Sequence, residues 1–445
     1  MGLTGTPFPV ELWRSICNYI EAEYFDADAR ESRSITSALA SLSRTCRPLH
    51  CILQPVLYTA PAIVGMPSLE FFFRTVVTRS DLASTVQTVK WYEGDSQDVY
   101  RWVQVDDEGL DLGDEFHSRY SEWLHELDID QPDGPTRGFE DWMHEYAQLL
   151  PLFLPNLQTL DYRREPPLND FEHLSEYCYR SQKPLKALRD LRIRAQGCGG
   201  FGLRSIASLL RVARDTLENL HLEGPTNVNE VGEWPPKPDL QRLKKLSVLD
   251  GRLGDGSFIE LLYHTPHLEE FSYHSGCESP EDMDNEERLT WTTLTAALEP
   301  TQDTLQVLDL GLYPEYLAGY EVRESLEFPW SFKDFSRLHT VSLTQATVFR
   351  EDTEFTDGKL LAAILPKTLK HFELRDLRAD FVGDVLGLAV AAQTGDFPRL
   401  ATVRLKTAAP EPRKDGCDSD PVLIAEDIEE ISEAFKSAGV QIDIR

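Results

Sequence analysis

The sequence predicts an α/β repeat fold: a small helical module at the start, then a solenoid of about ten parallel strands alternating with helices. Three observations predict it. One short apolar unit recurs along most of the chain. Apolar residues at helical spacing fill the intervals between its copies. Residues 6–60 lack the unit and read as helix throughout.

The unit is an apolar residue, two others, an apolar residue, one other, and a third apolar residue. It appears as Leu157-Leu160-Tyr162, Leu188-Leu191-Ile193, Leu217-Leu220-Leu222, Leu243-Leu246-Val248 and Leu268-Phe271-Tyr273. It returns as Leu305-Leu308-Leu310, Leu338-Val341-Leu343, Leu369-Phe372-Leu374 and Leu400-Val403-Leu405. A weaker copy, Val86-Val89-Trp91, precedes these, and Val440-Ile442-Ile444 can close the series. The first residues from Leu157 onward are spaced by 31, 29, 26, 25, 37, 33, 31 and 31. The last two apolar positions stand two apart and so share one face of a strand. The positions between and beside them are often polar, as in Asp190, Arg192 and Arg194 or Asn219, His221 and Glu223. Each strand is therefore expected to be buried on one face and open on the other. Helices are expected at Leu203 to Arg214, Trp291 to Leu298, Lys359 to Leu365 and Phe381 to Ala392.

Strand–helix units of this length resemble leucine-rich repeats. The resemblance implies a horseshoe, with a parallel sheet on its concave side and helices on its convex side. The Asn or Cys that usually follows the strand in the longer consensus is mostly missing here. The repeat leucines are core residues, so binding must fall to polar strand positions and loops. The candidate readers are Thr159, Asp161, Arg163, Asp190, Arg192, Arg194, His221, Glu223, Glu270, His274, Arg375 and Arg404.

Ahead of the repeats, Phe8-Pro9-Val10-Glu11-Leu12 opens an amphipathic helix with Leu12, Ile16 and Ile20 on one face. After a charged stretch come Leu39, Leu42, Cys46 and Leu49 at helical spacing, then Gln54-Pro55-Val56-Leu57-Tyr58. A cluster this small needs a partner or a larger domain against it. The run Pro9-x-Glu11-Leu12-Trp13-x-x-Ile16-Cys17-x-Tyr19-Ile20, followed by Leu39-x-x-Leu42-Ser43-Arg44-Thr45-Cys46-Arg47-x-Leu49-His50, resembles the F-box, in the style of filamentous-fungal F-box proteins. That resemblance divides the chain into an F-box-like module at 6–60 and a repeat solenoid at 61–445. It implies docking on a Skp-type adaptor, and through it on a cullin–RING ubiquitin ligase, while the repeats hold a substrate protein. It also implies that Phe8, Pro9, Leu12, Ile16 and Leu42 contribute to the adaptor surface, while Ile20, Leu39 and Leu49 pack internally. The link from Glu21 to Arg33 is longer and more acidic than a minimal F-box link. On its residues alone, the same cluster can serve as an N-terminal cap on the first repeat.

The charge balance narrows the partners. With 75 acidic against 44 basic residues the chain carries a net charge of −31, which argues against phosphate-backbone binding and against acidic membranes. Thirteen acidic and two basic residues lie between Glu93 and Asp130, and shorter acidic stretches run over 278–287, 315–327 and 351–357. Each follows the strand of its repeat, so these stretches are expected to share one edge. That edge would suit a basic partner protein, or would simply be a set of solvated loops. The 93–150 insert also carries Trp102, Trp123 and Trp142, with helices expected at Phe116 to Leu127 and Phe139 to Leu150. Residues 408–421 read as a flexible loop before a last helix, Ala425 to Ala438. Seven scattered cysteines without a CxxC, no signal-like start and no long apolar run point to cytosol or nucleus.

No catalytic constellation emerges. Gly197-Cys198-Gly199-Gly200-Phe201-Gly202 fits the dinucleotide fingerprint, but the strand before it alternates polar and apolar, unlike a doubly covered sheet. His264, His267, His274 and Cys277 bracket a strand and stand too far apart along it to converge on one ion. The sequence therefore implies no metal, no cofactor and no enzymatic activity. It implies a substrate receptor of a ubiquitin ligase or, failing that, a non-ligase protein-binding scaffold.

Overall fold

A computed structural model describes residues 38–64, 66–92, 149–164, 185–195, 200–226, 239–276, 291–312, 331–348, 358–407 and 423–445, with residues 122 and 125. The chain forms two compact units, Met1–Leu217 and Glu218–Arg445. Among the described residues the first holds, besides the two-residue strand Phe201–Gly202, four parallel strands paired in chain order: β1 (Ala62–Val64), β2 (Thr88–Tyr92), β3 (Thr159–Arg164) and β4 (Asp190–Ala195). Among the described residues the second holds, besides the two-residue strand Pro225–Thr226, eight more, also parallel and in chain order. They are β5 (Asn219–Glu223), β6 (Lys245–Gly251), β7 (Glu270–Ser275), β8 (Val307–Gly311), β9 (Thr340–Thr344), β10 (His371–Leu377), β11 (Thr402–Thr407) and β12 (Gln441–Ile444). Each repeat contributes one strand. Every predicted copy is a strand, the weak copy and the closing one included. The sequence reading missed β1, a three-residue segment in which Ile63 is 2% exposed, and the two-residue strands Phe201–Gly202 and Pro225–Thr226.

The ladder forms because the apolar pairs stack in register. Leu308 and Leu310 of β8 stand opposite Phe271 and Tyr273 on one side and Val341 and Leu343 on the other. All six are at most 1% exposed. A second device fixes the register at the strand entrances. At most strand entrances the carbonyl just before the strand accepts two N–H groups from the next repeat: Lys244 takes those of Glu269 and Glu270, and Glu269 those of Gln306 and Val307. Gln306, His339 and Lys370 continue the series, and Gln87 and Gln158 do the same in the first unit. A tight turn precedes each entrance, such as Leu243 N–H to Leu240 O or Leu338 N–H to Phe335 O. The buried residue three before the first leucine (Leu154, Leu185, Leu240, Phe335, Phe397) is thus a further position of the unit that the sequence reading left out.

Helices cover the apolar strand face: α1 (Arg47–Thr59) and α2 (Met66–Thr78) early in the chain, then α3 (Leu203–Ala213), α4 (Asp255–Tyr263), α5 (Trp291–Leu298), α6 (Leu360–Ile364), α7 (Val382–Gln393) and α8 (Ala425–Ser437). The four intervals expected to be helical each contain one. Within the second unit α4 packs on α5, α6 on α7, and α7 on α8. Gly387 makes one of these contacts possible, since a Cβ there would lie 1.5 Å from the carbonyl oxygen of Gly358. The missing Asn after the strand is replaced by other groups. Gln345 Oε1 accepts the Arg378 N–H, and Thr347 Oγ1 accepts that of Leu312. Asp384, 2% exposed, accepts the Leu360 N–H at the start of α6.

Of the helical module, residues 38–60 are described. Leu39, Leu49 and Leu53 form a buried cluster with Leu42, Val56 and Leu57 against it. Leu39 and Leu49 are internal, as expected. The Phe8–Ile20 helix, the two helices of the 93–150 insert and the 408–421 loop lie outside the described residues. No helix among the described residues is long and apolar enough to cross a membrane.

Two outcomes test this packing. Leu308→Ala should destabilise the second unit by about 2–5 kcal/mol in denaturant unfolding, because its surroundings cannot collapse onto the hole. Glu70, on α2, is 4% exposed, and burial pushes its carboxyl up to about 7 against the pull of Arg74. The folded state then holds a proton that the unfolded chain releases between about pH 4.5 and 7, so stability falls as pH rises through that window. Glu70→Gln should therefore be more stable than the parent at pH 8, on the order of 1–3 kcal/mol, with the gap closing toward pH 5 in thermal melts.

Candidate binding face

Once the apolar positions of each strand turn inward, the alternate positions form rows on the open face. One row of the second unit runs Ser272, Asp309, Ser342, Glu373, Arg404, Asp443, and the next runs His274, Gly311, Thr344, Arg375. All twelve candidate readers stand on such positions: Thr159, Asp161, Arg163, Asp190, Arg192 and Arg194 in the first unit, and His221, Glu223, Glu270, His274, Arg375 and Arg404 in the second.

Two of them meet at a residue that the sequence reading passed over. Asp309 Oδ2 accepts from His274 Nε2 at 3.0 Å, while Asp309 Oδ1 pairs with Arg375 Nη2. Arg375 belongs to β10, two strands away from β8, and it also donates to the Leu310 carbonyl at 3.2 Å. Its path crosses β9, where the intervening residues are the small Ser342 and Thr344. On the other side, a Cβ on Gly311 would stand 2.8 Å from His274 Nδ1 and 3.1 Å from its Cγ, so the imidazole occupies the space left by the missing side chain. Burial works to raise the Asp309 carboxyl, but the His274 hydrogen bond and the Arg375 charge outweigh it and hold the group below its ordinary range. The result is a tied polar centre that locks three side chains of the open face.

The other readers are paired more locally. Glu270 meets Lys245 at 2.7 Å, and Arg404 lies between Glu373 (3.2 Å) and Asp443 (3.4 Å). Lys406 also reaches Glu373, at 2.7 Å. His221 and Glu223 are half-exposed on β5. Carboxylates and cations are thus nearly balanced on this unit's open face, with Glu223, Glu270, Asp309, Glu373 and Asp443 against Lys245, Arg375, Arg404 and Lys406.

The first unit differs. Lys90, Asp161 and Arg192 share one row, and Tyr92, Arg163 and Arg194 the next. Asp161 is 5% exposed and sits at the centre, 3.3 Å from Arg194, with Oδ1 lacking a hydrogen-bond partner. Burial raises its carboxyl, against the opposing charges of Arg194, Arg192 and Lys90. Arg192 grips Asp190 with both Nε and Nη2.

Of the predicted adaptor residues, Leu42 is half-buried against the Leu39–Leu49–Leu53 cluster, and Phe8, Pro9, Leu12 and Ile16 lie outside the described residues. The acidic stretches apart from Glu122, and Cys277 and Gly197 to Gly199, also lie outside them. Among the described residues no group of three His, Cys, Asp or Glu side chains is arranged to hold a metal ion. No family model matches the chain, and a search of curated proteins likewise finds no match.

Two substitutions probe the polar centre. Gly311→Ala should displace the His274 ring and destabilise the second unit by about 1–3 kcal/mol. Asp309→Asn should cost a similar amount near pH 7, on the order of 1–3 kcal/mol, because Arg375 loses its partner. A depressed carboxyl stabilises above its unfolded value and loses that contribution as pH falls through its folded one. The deficit of Asp309→Asn should therefore shrink below about pH 4 in urea titrations.

Proposed function

We propose that this chain is the substrate-recognition subunit of a Skp–cullin–F-box type ubiquitin ligase. Its repeats hold a target protein and its N-terminal module holds a Skp-type adaptor, working in cytosol or nucleus. The observation that carries the binding half is the open strand face: charged side chains, fixed in rows by a parallel ladder, form a rigid surface that needs little ordering to engage a partner. The adaptor half rests on the resemblance of Pro9 to Ile20 and Leu39 to His50 to the F-box, with the Leu39–Leu49–Leu53 packing supporting the internal residues of that assignment. Phe8, Pro9, Leu12, Ile16 and Leu42 supply the adaptor contacts.

In this reading the chain contributes no reacting group. Catalysis comes from proximity, since a captured lysine is held at high effective concentration near the ubiquitin donor. A second reading, a repeat scaffold without ligase activity, is favoured by the self-sufficient strand face, which is complete without any adaptor.

Co-precipitation of the full chain with a Skp-type adaptor and a cullin separates the two. The parent should retain both, and Pro9→Ala/Leu12→Ala should lose both, as expected for interface anchors each contributing about 2 kcal/mol or more. Adaptor without cullin would support the scaffold, and retention of neither by the parent would end the F-box assignment.

A further inference from the structure

The strand entrances of the second unit change sign along the ladder. Consider the two residues before and the two after the first leucine of each repeat unit. Around Leu338, Leu369 and Leu400 these twelve residues include Arg337, Lys367, Lys370 and Arg399, with His339 and His371, and no carboxylate. Around Leu268 and Leu305 the same positions hold Glu269, Glu270 and Asp303, and no Lys or Arg. Farther back, Lys244 and Lys245 are matched by Glu218 and Glu270. The later cations have no such match. Arg337, Lys367, Lys370 and Arg399 are all exposed, and none forms an ion pair among the described residues. The carboxylates that border them are few. Asp303 accepts from Ser336 at 3.2 Å, Asp396 from Thr394 at 3.4 Å, and Asp334 directly follows Lys333. With these neighbours included, five cations stand against three carboxylates, in a chain whose net charge is −31. Glu373, farther along the open face, is already held by Arg404 and Lys406. The three entrances are locked side by side, about 4.8 Å from strand to strand. The His339 carbonyl accepts the N–H groups of Lys370 and His371, and the Lys370 carbonyl those of Ala401 and Thr402. The crowding of like charge is felt at His339, whose imidazole is lowered by burial and then by the charges of Lys370 and His371.

We infer that the entrance rim of β9, β10 and β11 is a docking surface for an acidic, Asp- and Glu-rich peptide segment of the captured protein. Charge complementarity selects the occupant: exposed Lys and Arg side chains without carboxylate partners can take a partner's carboxylates without first giving up an ion pair. Screening limits what such a segment senses to about 8 Å at physiological salt, so the rim acts on it more strongly than the distant acidic surface does. In sequence the acidic stretches follow their strands, whereas these cations precede theirs, so the rim is a separate feature from the acidic edge. The inference rests on the repeats being the part that holds a target, and it is independent of the N-terminal module.

The test is fluorescence anisotropy of the full chain with a labelled Glu/Asp peptide of about twelve residues, at about 0.05 and 0.2 M salt. Saturable binding that weakens with salt is expected. Lys367→Gln/Lys370→Gln should lower affinity about tenfold, and Arg337→Gln/Arg399→Gln by a similar factor. Lys186→Gln, at an exposed lysine of the first unit, should change it by less than about twofold. Lys370→Gln alone serves if a double variant melts early, and it should give about a threefold loss. Binding unaffected by these rim substitutions would overturn the inference. So would tighter binding of a Lys-rich peptide, or of a single-stranded oligonucleotide of similar length. Failure of peptide binding with the adaptor still retained would count against the rim alone and leave the N-terminal assignment standing.

Discussion

The register of the parallel ladder is the constraint from which the rest follows. Most entrance carbonyls take two N–H groups from the next repeat, and the repeat strands send two apolar residues inward against their counterparts. A one-residue slip would carry those pairs onto the open face and bury Asp309, Arg192 or Glu373. Burying such groups without partners costs several kcal/mol each, so the alternative registers are closed. Because the ladder cannot slip, the outward side chains keep fixed neighbours across repeats that lie up to 66 residues apart in the chain, as Asp309 and Arg375 do.

That fixed arrangement separates charge by location. The open face of the second unit is close to neutral, although the chain as a whole is strongly acidic. A surface built this way can discriminate by pattern, since the His274–Asp309–Arg375 centre presents fixed charges at fixed places. The pairings already present on the face keep its long side chains ordered, which lowers the entropy lost when a partner binds.

Much of this was legible in the sequence. The spacing of Leu157, Leu188, Leu217 and their successors identified the strands, and alternation placed Arg192, Arg194, His274 and Arg375 on the open side. Other features were hidden for physical reasons. β1 is three residues long and carries too little pattern to register. Asp309 lies inside an ordinary Leu-Asp-Leu strand, and its importance comes from Arg375 reaching across a neighbouring strand of small residues, a contact that one-dimensional periodicity cannot show. Gly311 matters through an imidazole from the previous repeat. Lys90 sits in the weakest copy of the unit.

Hydrogen exchange by mass spectrometry, on the full chain alone and saturated with a Skp-type adaptor, tests the proposed division of labour most directly. The account predicts new protection confined to peptides within residues 6–60, with β5–β12 exchanging as before. Protection appearing in the repeats while residues 6–60 stay unchanged would contradict it.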